Sequence, residues 1–126
     1  MSKPNIRRIT SIGEWDELAA MAGKRPVWVF KHSLICPLSA SGRKEFERFV
    51  AAAADSDTLF AMVEVQNARD TSDELARRFG VRHETPQAIL LIGDNVRWHG
   101  SHWDISASTL ARADGETASA AGAGCE

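Results

Sequence analysis

Two apolar runs joined by one long amphipathic helix constrain this chain more than any other feature. Residues 27–30, Val-Trp-Val-Phe, form a short continuous apolar stretch of the kind that builds a strand buried on both faces. Residues 59–65 form a second run rich in strand formers. Between them Phe46, Phe49 and Val50 recur at helical spacing, the helix runs on to Ala54, and Asp55, Ser56 and Asp57 end it. A helix lying between two strands makes a βαβ unit, so the strands are expected to be parallel with a right-handed crossover.

The flanking segments extend this unit. Ser11-Ile12-Gly13-Glu14 has the form of a capping box, and Trp15, Leu18, Ala19 and Ala22 follow at helical spacing until Gly23. Pro26 opens the first strand. After the second strand, Thr71-Ser72-Asp73-Glu74 caps a helix carrying Leu75, Ala76 and Phe79, with Gly80 as its stop. A polar loop over residues 81–85 leads through Pro86 into an apolar strand at 88–92. Gly93-Asp94-Asn95 reads as a hairpin turn into Val96-Arg97-Trp98. Residues 101–112 read as a last helix with Trp103, Ile105 and Leu110 facing inward. From residue 113 the composition falls to Ala, Gly, Ser and Glu, which predicts a flexible tail over 113–126 behind a folded domain at 1–112.

A βαβ unit followed by a ββα unit on one central mixed sheet flanked by helices is the thioredoxin-like α/β fold. Periodicity alone is also compatible with other small α/β folds. The thiol after the first strand and the proline before the third turn the balance towards the thioredoxin-like one.

At 126 residues the chain is long enough for one ordinary core. A net charge of -2 argues against nucleic acid or an anionic membrane as the main partner. No apolar run approaches the roughly 20 residues that span a bilayer. The N-terminal segment has basic residues with no apolar stretch behind them, unlike a secretory signal. A cytoplasmic setting is therefore expected, where thiols stay reduced.

The two cysteines, Cys36 and Cys125, have unlike surroundings and make no metal site of known spacing. Cys36 lies at a strand-to-helix turn, where backbone N–H groups and the helix dipole stabilise a negative sulfur. Pro37 suits the first turn of that helix. Leu38 and Ser39 offer backbone N–H groups, and the Ser39 hydroxyl is a further donor to a thiolate. Lys31 and His32, ending the preceding strand, are expected to add positive charge. Ser39 cannot form the internal disulfide of a C-x-x-C pair, so the expected chemistry is monothiol. The bland alternatives are a buried inert thiol at Cys36 and a plain helix N-terminal residue at Ser39.

Arg82 and His83 either line a groove that meets the carboxylates of a small acidic thiol or are solvated loop residues. His99 and His102 lack a carboxylate or thiol constellation, so no metal is expected there. Cys125 reads as an exposed thiol in the tail rather than a resolving partner of Cys36.

Four separated blocks together resemble the YtxJ-like monothiol bacilliredoxins, thioredoxin-fold proteins linked to bacillithiol. They are Lys31-His32-Ser33, Cys36-Pro37-Leu38-Ser39, residues 81–87 (Val-Arg-His-Glu-Thr-Pro-Gln) and residues 98–105 (Trp-His-Gly-Ser-His-Trp-Asp-Ile). The resemblance spans roughly residues 5–112. It implies that Cys36 is the nucleophile and Pro86 a cis-proline whose preceding residue, Thr85, presents backbone to the substrate. It further implies that bacillithiol is the co-substrate, S-bacillithiolated proteins are the partners, and no cofactor is tightly bound. Leu34-Ile35 is more apolar than expected before such a cysteine. A glutathione-using monothiol glutaredoxin, one that holds an iron–sulfur cluster, and a thioredoxin-fold binding module without turnover are the competing functions.

Overall fold

The computed structural model describes residues 6–53 and 57–123. Five strands form one mixed sheet in the order β1-β3-β2-β4-β5. The strands are β1 (Ile6–Arg8), β2 (Pro26–His32), β3 (Leu59–Glu64), β4 (Gln87–Ile92) and β5 (Asn95–Ser101). Strands β1, β3 and β2 run parallel, and β4 and β5 are antiparallel to their neighbours. The helices are α1 (Ile12–Ala22), α2 (Pro37–Ala52), α3 (Arg69–Phe79) and α4 (Ala107–Ala123). This is the thioredoxin-like arrangement, with the expected βαβ unit as β2-α2-β3 and the ββα unit as β4-β5-α4.

Strand alternation sorts the core into two layers. Val27 and Val29 of β2 face one side with Trp15 and Leu18 of α1 and Leu75 of α3. Trp28 and Phe30 face the other, against Phe46, Phe49 and Val50 of α2 and Leu110 of α4. Trp28 meets Phe49 edge-on at 5.3 Å between ring centroids, and Phe30 stacks on Phe46 at 5.0 Å. The sheet is covered on both faces, which is why β2 reads as an unbroken apolar run.

The capping box of α1 forms with one change. Ser11 Oγ accepts the Glu14 N–H, but the Glu14 carboxylate turns back to the N–H of Thr10 at 2.7 Å, one residue before the cap. Strand β1 was not expected. Its three residues carry too weak a pattern to declare a strand, and pairing with the exposed edge of β3 is what orders them.

The C-terminal third departs from expectation. Strand β5 continues to Ser101, and His102–Asp104 is a single 3-10 turn, so the last helix starts at Ala107 rather than at 101. Trp103 consequently points outward, 86% exposed, whereas Ile105 and Leu110 are buried as expected. The helix also runs on past Arg112 to Ala123, where a flexible tail was expected. Ala113 packs into the α2 layer, and Asp114 Oδ1 accepts the Trp28 Nε1 proton at 3.0 Å. Alanine-rich composition here is helix propensity with a small contact face. Cys125 lies outside the described residues, as does most of the expected α2 stop at 55–57.

Candidate active site

The site is assembled at the end of β2. Cys36 is the N-cap of the 16-residue helix α2, half-buried, with extended backbone. Pro37 occupies the first helical position and has no N–H to leave unpaired. The first-turn donors beyond the reach of any helical carbonyl are then those of Leu38 and Ser39. The helix dipole and these donors converge where the Cys36 side chain begins.

Ser39 has a further role that the sequence did not suggest. It is fully buried, and its Oγ accepts the Ser33 N–H at 2.9 Å and lies 2.9 Å from His32 Nδ1. With one proton and two lone pairs, the hydroxyl either donates to His32 Nδ1 or accepts from it, as the imidazole tautomer dictates. Both hydrogen bonds hold the hydroxyl beneath the loop. The side chain at the fourth position of Cys36-Pro37-Leu38-Ser39 locks the loop that carries the cysteine.

Lys31 and His32 fall elsewhere than expected. Adjacent strand residues point to opposite faces, so only His32 lies on the α2 side, stacked on Phe30. Burial, then the nearby Arg43 guanidinium, holds the His32 imidazole below its ordinary range, so it is neutral at pH 7. It brings no positive charge to the thiol. Lys31 lies fully buried on the α3 side. Its Nζ donates to the Ser72 carbonyl at 3.0 Å and sits 3.4 Å from His83 Nδ1. Burial lowers its pKa to about 8, partly opposed by Asp73.

The loop before β4 brings its residues to both faces. The Thr85–Pro86 peptide is cis. Pro86 packs on the second turn of α2, so close that a Cβ on Gly42 would lie 3.2 Å from its ring. The Pro86 carbonyl accepts the His102 N–H at 2.9 Å, which ties this loop to the turn after β5. Thr85 is half-buried beside it. His83 does not line a groove with Nδ1. That atom is turned inward to Lys31 and to Ser72 Oγ at 3.2 Å, and burial followed by the Lys31 charge keeps the ring neutral. Arg82 is exposed, and its carbonyl accepts from Gln87 Nε2 at 2.8 Å.

Gln66 escaped the sequence argument. From the turn after β3 its Oε1 accepts the Leu34 N–H at 2.9 Å, and its Nε2 donates to Ser33 Oγ at 3.0 Å. Ser39 and Gln66 together pin residues 33–34 from below and from the side. Only the tertiary contact reveals this, because Gln66 stands 30 residues from Cys36 in an unremarkable polar turn. Among the described residues no group of three or more His, Cys, Asp or Glu side chains is placed to hold a metal ion.

The family model for the monothiol bacilliredoxin BrxC matches residues 7–110. The chain belongs to this bacilliredoxin family. A solved structure described as a candidate oxidoreductase with a thioredoxin fold is 33% identical, with a TM-score of 0.76, covering 86% of this chain and 93% of its own. Thioredoxin from Trypanosoma brucei brucei is 13% identical with a TM-score of 0.73, covering 94% of this chain and 95% of its own. Thioredoxin from Malassezia sympodialis is 16% identical with a TM-score of 0.72, covering 92% and 93%. The two thioredoxins share the fold. Family and site together make this bacilliredoxin-family chain a thiol oxidoreductase of the thioredoxin fold. No helix among the described residues is long and apolar enough to cross a membrane.

Proposed function

We propose that this protein removes bacillithiol from S-bacillithiolated protein cysteines by monothiol exchange at Cys36. The observation that carries the reading is the pairing of a half-buried N-cap thiol with a buried serine, Ser39, where a dithiol protein has its second cysteine. Cys36 is the only cysteine among the described residues, so no neighbouring thiol there resolves a mixed disulfide.

In the proposed cycle the Cys36 thiolate attacks the bacillithiol sulfur of a protein mixed disulfide. The new S–S bond joins Cys36 to bacillithiol, the old one breaks, and the substrate cysteine leaves as its thiolate. A free bacillithiol thiolate then attacks the Cys36 adduct, giving bacillithiol disulfide and reduced Cys36. The electron pair comes from bacillithiol, so the protein needs no tightly bound cofactor. Pro86 and the backbone of Thr85 are the proposed resting place of the substrate chain. The cytoplasm, with its reduced thiol pool, is the proposed compartment.

The test is release of bacillithiol from a modified protein in the presence of free bacillithiol. Catalytic release by the native chain and none by Cys36→Ser is the expected result. Equal release by both would overturn the assignment of Cys36.

A further inference from the structure

A groove of about 360 Å³ runs along α2 from its first turn to Arg48, bounded by Leu38, Lys44, Glu45, Arg48, His102 and Trp103. Its near wall, Leu38, is two positions past Cys36. Three features give the groove a chemical character. The first is Trp103, 86% exposed at the rim, although the fold buries Trp15 and Trp28. The second is how the indole is held. Its turn is closed by a capping box between Ser101 and Asp104, and His102 adopts a left-handed conformation (φ 54°) that non-glycine residues rarely take. The His102 N–H also anchors the turn to the Pro86 carbonyl at 2.9 Å. The third is charge. Arg48 pairs with Glu45 at 3.3 Å, and Glu45 also accepts the Ala107 N–H, whereas Lys44 has no ion pair among the described residues.

An aromatic face on a fixed turn beside one uncompensated ammonium and one guanidinium suits a ligand with a saturated ring and carboxylates. Pyranose rings present C–H groups to an indole face, and carboxylates take charge-assisted hydrogen bonds from Lys and Arg. Bacillithiol is a cysteine joined through glucosamine to malate. Glutathione carries carboxylates but no ring. Resting on the function proposed above, we propose that this groove seats the body of bacillithiol while its sulfur meets Cys36. Trp103 stacks on the sugar and sets the preference over glutathione, and Lys44 with Arg48 receives the malyl carboxylates.

The test uses the full reduced chain with bacillithiol disulfide and, separately, glutathione disulfide. Cys36 attacks one sulfur, half of the disulfide stays on it, and the other half leaves as a thiolate. Adduct formation is followed by quenched-flow mass spectrometry. With bacillithiol disulfide, Trp103→Ala and Lys44→Glu are each expected to slow the reaction about tenfold, the loss of one modest contact. With glutathione disulfide, Trp103→Ala is expected to change it less than about twofold. Thermal melts equal to the native chain establish that both exposed-site variants fold. If the native chain takes up bacillithiol and both variants match it, the groove assignment is overturned. Equal slowing of both disulfides by Trp103→Ala also overturns it, assigning Trp103 to the active-site loop or to protein docking. If the native chain takes up no bacillithiol, the proposed function itself fails and the groove assignment falls with it.

Discussion

Replacing Ser39 by alanine separates two roles for the fourth residue of Cys36-Pro37-Leu38-Ser39. If the hydroxyl served the sulfur, Ser39→Ala would slow exchange and leave stability nearly untouched. The structure gives the opposite weighting. The hydroxyl is fully buried and satisfies the Ser33 N–H and His32 Nδ1, each at 2.9 Å, and both residues are themselves buried. Removing the oxygen leaves the buried Ser33 N–H and the buried His32 Nδ1 unpaired. At about 1–3 kcal/mol for each of the two stranded groups, the expected loss is roughly 2–6 kcal/mol. In a chain of this size that lowers Tm by roughly 10–20 °C. Urea unfolding read by tryptophan fluorescence, with Cys36 alkylation kinetics alongside, measures both consequences. A loss below about 0.5 kcal/mol combined with a large fall in thiol reactivity would refute the reasoning. It would mean that the hydroxyl works on Cys36 rather than under the loop.

Lys31 makes stability depend on pH. Its pKa is about 8 in the fold against an ordinary 10.5, so between those values the unfolded chain holds the extra proton and stability rises with pH. The full shift corresponds to about 3 kcal/mol, and Lys31→Met should flatten the profile measured by urea melts from pH 8 to 10.5. On the acid side His32 and His83 are both held below the ordinary 6.5, so the unfolded chain takes up protons first and stability should decline as pH falls below that value. A flat profile down to pH 5, roughly where two such histidines have charged in the unfolded state, would contradict their burial as neutral rings. Gln66→Ala should speed amide exchange at Leu34 about tenfold, the loss of one hydrogen bond, with little effect on β4 or β5. Gly42→Val places bulk where a Cβ already meets Pro86 at 3.2 Å and Ile105 at 3.5 Å, and should cost about 1–3 kcal/mol by calorimetry.

The sheet core and the position of the thiol were legible because they rest on local pattern. Val27 to Phe30, the periodicity of α2 and the hairpin at Gly93 each declare an element without tertiary help. The alternation that sorts Val27 and Val29 from Trp28 and Phe30 also separates Lys31 from His32, so their opposite faces were open to the same argument. The contacts of the Ser39 hydroxyl with Ser33 and His32 were not legible, since they depend on how the loop folds back over β2. Trp103 was misplaced because helical spacing was extended across a turn that His102 breaks with its positive φ. The end of α4 was hidden by composition. An Ala-rich segment has the same letters whether it is a tail or a helix, and only the contacts of Ala113 and Asp114 with the Trp28 layer distinguish them.

The central claim, that Cys36 exchanges bacillithiol on its own, is tested most directly by trapping the intermediate. Reduced protein is mixed with a protein carrying bacillithiol on one cysteine, or with a glutathione-carrying copy, and acid-quenched samples are read as intact and peptide masses. The account predicts one bacillithiol on Cys36, formed faster than the glutathione adduct, with the donor cysteine returned to its thiol. An unmodified Cys36 with both donors, or preferential glutathione transfer, would contradict it.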